Sequence, residues 1–199
     1  IEAIRGKALT PALEERIPTL AEMTRAALRT LAGSDKGFLL QVEGGRVDHA
    51  AHANDAAGLL WDQLALDDAV AVALEFTRAR SDTLLVITSD HGNANPGLNG
   101  MGGNYRDSAK CFERLAKVTA SYDVIGGRLS TAKTEGGELT PDAAVEVVRT
   151  VTGIEFRSAE AQLVCDAVNG KPAAAADRFR NLPGLLGQVL SNHTGVGWI

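Results

Sequence analysis

Two apolar runs in this chain each lead straight into a carboxylate and an imidazole. Phe38-Leu39-Leu40-Gln41-Val42 is followed by Glu43-Gly44-Gly45-Arg46-Val47-Asp48-His49-Ala50-Ala51-His52. Thr83-Leu84-Leu85-Val86-Ile87-Thr88 is followed by Ser89-Asp90-His91-Gly92. Short, continuous apolar runs read as strands buried on both faces, and such strands are the parallel ones. A helical pattern fills the interval between them, from about Ala53 to Ala79, with Leu59, Leu60, Leu64, Leu66, Val70, Ala73 and Phe76 as its buried stripe. Strand, helix and strand make one right-handed parallel crossover. Parallel pairing brings the ends of both strands to one rim of the sheet, where open α/β folds bind their ligands. The expectation is an α/β fold with a central, largely parallel sheet flanked by helices on both faces.

The rim carries metal chemistry. Asp48 and His52 are four apart and share one face of a helix that starts there. A neutral imidazole is a good zinc ligand and a carboxylate complements it. Glu43 is a lone hard oxygen donor and suits magnesium better. Of the four histidines, His49, His52 and His91 lie in these two clusters and His193 stands alone near the end. Two zinc ions about 4 Å apart can clamp the attacking and leaving oxygens of a phosphoryl transfer.

Length and charge narrow the remaining classes. The 199 residues suffice for one domain with a full core. A formal net charge of −5 implies no general affinity for nucleic acid. No apolar run approaches a membrane span. Cys111 and Cys165 are far apart and read as buried free thiols. The chain begins Ile1-Glu2-Ala3, shows no signal peptide and reads as a piece of something longer.

Outside the rim the pattern is mainly helical. Thr19-Leu20-Ala21-Glu22 has the form of a capping box. Gly58 is a candidate break in the 53–79 helix, and Trp61 reads as packing. The turn-rich residues 92–104 form a loop. A helix runs from Ser108, its cap, to about Ala120, and residues 121–139 read as turns with room for a short strand. Thr140-Pro141 opens the next helix. Ser158 caps another that reaches Val168, and a last one spans about Pro183–Leu190.

The residues resemble a known family. The 43–52 stretch, continued by Ala53-Asn54-Asp55, is similar to the metal-binding signature of alkaline phosphatases. Thr88-Ser89-Asp90-His91 resembles that family's second metal segment, His193-Thr194-Gly195 its C-terminal ligand segment, and residues 18–24 the stretch before the first motif. The resemblance implies that Asp48, His52 and His193 hold one zinc, Asp90 and His91 a second, and Glu43 magnesium. His49 would sit near the phosphate. The implied reaction is hydrolysis of small phosphomonoesters to inorganic phosphate through a phosphoserine, in a homodimeric periplasmic or secreted enzyme. The family's nucleophile segment has no counterpart ahead of the first motif. Asp107-Ser108-Ala109 mimics it on the wrong side of the second metal segment. The chain is therefore expected to be one α/β metallohydrolase domain, the C-terminal part of a longer catalytic domain, inactive alone, with residues 99–180 matching no motif. Two alternatives stay open. Asp90-His91-Gly92-Asn93-Ala94 also resembles the metal segment of cofactor-independent phosphoglycerate mutases, which use manganese or zinc. A non-catalytic metal-binding fragment is the other.

Overall fold

Helix α1 (Leu20–Leu31) opens on the capping box read from the sequence. Thr19 Oγ1 accepts from the Glu22 N–H at 3.2 Å, and Glu22 Oε2 accepts from the Thr19 N–H at 2.7 Å. Two free helix-start donors are thus satisfied by two neighbouring side chains. The computed structural model describes residues 17–78, 80–92, 98–133, 137–171 and 181–198. The expected loop at 92–104 falls partly outside them.

α1 packs along the 23-residue helix α3 (Ala56–Arg78), and the short helix α2 (Gly45–His52) lies on α3 as well. Ala50 and Ala51 of α2 are buried with Leu59 of α3, so small side chains let the two helices approach closely. Gly58 does not break α3. Asp55 Oδ1 accepts from its N–H at 2.9 Å and closes over the helix start. A Cβ at Gly58 would lie 2.7 Å from Asp55 Oδ2, so only glycine fits beneath that carboxylate.

Strand β1 (Leu98–Gly100) follows, then a 3₁₀ turn (Gly102–Asp107) and helices α4 (Ser108–Leu115), α5 (Tyr122–Thr131), α6 (Pro141–Thr152), α7 (Ser158–Val168) and α8 (Leu182–Thr194), and strand β2 (Val196–Trp198). β1 and β2 pair antiparallel, with Leu98 opposite Trp198 and Gly100 opposite Val196. Helices α5 to α8 enclose the main core, built on Ile125, Leu129, Val148, Val164 and Leu186. Cys111, Leu115, Val118 and Val196 form a second cluster with Ala57, which ties α4 and β2 to the start of α3.

Several expectations need correction. Residues 122–131 are helix rather than turn. Ser121 caps it, its Oγ accepting from the Val124 N–H at 3.4 Å. A Cβ on Gly126 would stand 3.4 Å from Leu182 Cδ2, an ordinary contact between α5 and α8. Burial of Tyr122, Val124, Ile125 and Leu129 outweighs the roughly 1 kcal/mol that each helical glycine costs. Ser108 is not the cap of α4. Asp107 takes that position, while Ser108 Oγ accepts from the Gly100 N–H at 2.9 Å and donates to the Tyr105 carbonyl at 2.7 Å. Arg157, not Ser158, precedes α7 as its cap. The last helix runs on to Thr194, four residues past its expected end.

The two apolar runs lie outside any helix or strand. Among the described residues the sheet consists of β1 and β2 alone. No main-chain hydrogen bond among the described residues joins 38–43 or 82–91 to another segment. The α/β character is thus helices around a small sheet, with both expected parallel strands lacking a neighbour to bond to.

Candidate metal centre

Asp48 and His52 stand one turn apart on α2, and His91 meets them from the segment that follows 83–88. His52 Nε2 lies 3.3 Å from Asp48 Oδ1, and His91 Nε2 lies 3.6 Å from the same oxygen. The two imidazole rings are tilted, with centroids 6.1 Å apart. One ligand atom from each of the three residues lies within 4.8 Å of the others. α2 is aimed there by its start. Gly44 lies so close to α3 that a Cβ would come within 2.8 Å of Leu66 Cδ2. Asp90 stands beside the group, its Oδ2 3.5 Å from His91 Nε2. One carboxylate and two imidazoles, open to solvent, make a mixed oxygen and nitrogen donor set with a free side, which fits zinc.

Glu43 is exposed at the end of the first run and stands outside this triad. His49 faces the other way from Asp48. Its Nδ1 lies 3.2 Å from Arg46 Nη1, and Arg46 Nη2 lies 3.6 Å from Asp123 Oδ2. Arg46, His49, Asp55, Asp62, Tyr122 and Asp123 line a small polar cavity behind the metal rim. Asp55 is a structural hub, its Oδ2 accepting from the Tyr122 N–H at 2.8 Å. Burial pushes its carboxyl up to about 6, and its two main-chain hydrogen bonds only partly oppose that. Burial also drives the Tyr122 hydroxyl well above its usual range. Burial raises Asp62, against the pull of Arg46. The reading from sequence missed Arg46, Asp55 and Asp62. The signal was present: Asp55 and Asp62 fall at helical spacing with Leu59 and Leu66, two carboxylates in an apolar stripe.

His193 does not join the cluster, contrary to expectation. Its Nε2 lies 2.8 Å from Glu160 Oε2, and its ring stacks on Phe156 at 6.3 Å. The cause is the phase of α8. Leu186, Leu190 and Thr194 are buried, and that phase directs His193 toward α7. Glu160 also binds the Arg157 guanidinium and accepts from the Arg157 N–H at 2.9 Å. Burial pushes the Glu160 carboxyl up, but the hydrogen bonds from Arg157 and His193 outweigh it and hold it at about 2.

The family model of alkaline phosphatase matches residues 7–158. The alkaline phosphatase of Escherichia coli (strain K12) is 42% identical over 84 residues, which is 42% of this chain and 18% of that protein. Alkaline phosphatase 4 of Bacillus subtilis (strain 168) is 29% identical over 184 residues, 92% of this chain and 38% of that protein. The crystal structure of Thermus thermophilus alkaline phosphatase superposes with a TM-score of 0.78 at 32% identity, covering 92% of this chain and 39% of that one. The chain thus spans well under half the length of each of these relatives. The match to the family model over three quarters of the chain and the shared fold lead to one conclusion: the chain belongs to the alkaline phosphatase family.

Proposed function

We propose that this chain carries the metal-binding rim of a phosphomonoesterase. The convergence of Asp48, His52 and His91 carries the reading. Asp48 and His52 would hold one zinc, Asp90 and His91 a second, and Glu43 magnesium. Bound there, such ions lower the pKa of a hydroxyl or water and neutralise the charge on phosphate oxygens. The chain's own residues prepare the place. α2 fixes Asp48 and His52 on one face, and His52 Nε2 and His91 Nε2 lie 3.3 and 3.6 Å from Asp48 Oδ1, so the donor atoms are already gathered. Arg46 holds the His49 ring, the residue that the resemblance sets near the phosphate.

The nucleophile in this reading is a serine outside these 199 residues. Ser108 is spent on bonds to the main chain at Gly100 and Tyr105. The whole protein would act on small phosphomonoesters as an exported homodimer. Membership of the alkaline phosphatase family supports this over the isomerase alternative. Zinc titration followed by inorganic phosphate titration of the 199-residue chain tests the proposal. Zinc binding, zinc-dependent phosphate binding and no turnover of an aryl phosphate are expected. A chain that binds phosphate equally well without zinc contradicts it.

A further inference from the structure

Two buried polar atoms behind the rim, Arg46 Nε and Asp62 Oδ1, have no hydrogen-bond partner among the described residues. Both residues line the same small cavity. Asp62 lies on the inward side of α3 and is 4% exposed, so bulk solvent does not serve its carboxylate. A carboxylate oxygen only accepts and a guanidinium nitrogen only donates, so the two atoms are complementary. Neither is bonded to the other. Burial raises the Asp62 carboxyl, and Arg46 is the largest influence pulling it down, so the two charges sense each other across the gap. Buried polar groups in folded proteins are paired almost throughout, because leaving them unmet costs their hydration without return.

The cavity selects its guest. It offers about 20 Å³ to a water-sized guest, and one water needs about 10–15 Å³ on that measure. Asp55, Asp62 and Asp123 in its wall disfavour an anion. Arg46 disfavours a metal ion, and among the described residues the metal-ligating side chains that converge in a group of three are Asp48, His52 and His91, not these. Both oxygens of Asp55 are already engaged, by the Gly58 and Tyr122 N–H groups. What fits is a neutral molecule that both accepts and donates. We propose that this cavity binds one water molecule, which accepts from Arg46 Nε and donates to Asp62 Oδ1, and that Asp62 is through it a positioning residue for Arg46. The other nitrogens of the guanidinium face His49 Nδ1 at 3.2 Å and Asp123 Oδ2 at 3.6 Å. Fixing Nε therefore sets the plane of a rigid fork and ties α2 and α3 to the start of α5. The inference rests on burial, pairing and charge and is independent of the metal reading.

The test is a high-resolution crystal structure of the 199-residue chain beside the variants Asp62→Asn, Asp62→Leu and Arg46→Met. The unmodified chain and Asp62→Asn, which keeps a carbonyl oxygen at Oδ1, should each hold one ordered water within about 3.2 Å of that oxygen and of Arg46 Nε. Asp62→Leu and Arg46→Met should each lose it. Exchange of the Arg46 Nε–H with solvent, followed by NMR, separates positioning from stability. It should be at least about tenfold faster in Asp62→Leu than in Asp62→Asn, whereas a merely structural Asp62 would leave the two variants alike. No water at the bridge in the unmodified chain, a metal ion in its place, a direct Arg46–Asp62 ion pair, or equal Nε–H exchange in the two variants overturns the proposal. If Asp62→Leu does not fold, Arg46→Met decides, and the same water retained beside Asp62 in that variant overturns the proposal.

Discussion

Replacing Glu160 by glutamine isolates the His193 site from the metal rim. A carboxyl held at about 2, against an ordinary 4.5, contributes up to about 3 kcal/mol once ionised. The carboxylate itself is 8% exposed, but Arg157 is 69% exposed and solvent screens its share. The expected loss for Glu160→Gln at pH 7 is therefore about 2 kcal/mol. The sign follows from the lowered folded-state value. The contribution is fully present above pH 4.5 and fades as the pH falls toward 2, so by pH 3 about half of it is gone. Urea unfolding of both proteins at pH 7 and pH 3 measures this. The deficit of the variant should shrink from about 2 to about 1 kcal/mol. A deficit equal at both pH values would refute the charge-based account, and no deficit at pH 7 would show that the His193–Glu160–Arg157 group is unimportant to stability.

Three further outcomes follow from the site and its supports. Zinc affinity should fall as the pH drops through the range where imidazoles take up protons, with protons released on binding above it, as calorimetry in two buffers can check. Gly58→Ala should destabilise the chain by about 1–3 kcal/mol in urea melts, because the new Cβ would meet Asp55 Oδ2 at 2.7 Å. Asp55, raised to about 6, favours the folded state most at low pH and loses that contribution as the pH rises from about 4 through 6. Stability measured between those values should therefore fall less for Asp55→Asn than for the unmodified chain.

Local chemistry made much of the chain readable. The Thr19–Glu22 box, the Thr140-Pro141 helix start and the Asp48–His52 spacing are short-range features, and the structure keeps each of them. What failed depends on distant contacts. The glycines of α5 argued for turns, whereas burial of Tyr122, Val124, Ile125 and Leu129 in the main core holds a helix there. His193 followed a three-residue resemblance, whereas the phase of α8 sends it to Glu160. The composition of the two apolar runs marks them as strands, but a strand also needs a neighbour, and composition does not supply one. Arg46 escaped notice because the cavity it lines gathers residues far apart in the chain, whereas Asp62 showed itself only by its helical spacing with Leu59 and Leu66.

The most direct test of the metal rim compares zinc binding by the unmodified chain with that of His52→Ala, His91→Ala and His193→Ala. The distances put His52 and His91 with Asp48, and His193 with Glu160. Asp48 with His52, and Asp90 with His91, give each ion only two ligands of this chain, so loss of one should weaken zinc binding at least tenfold to a hundredfold. His52→Ala and His91→Ala are predicted to do so, and His193→Ala to leave the affinity within about threefold. Undiminished zinc binding by both His52→Ala and His91→Ala would contradict the account.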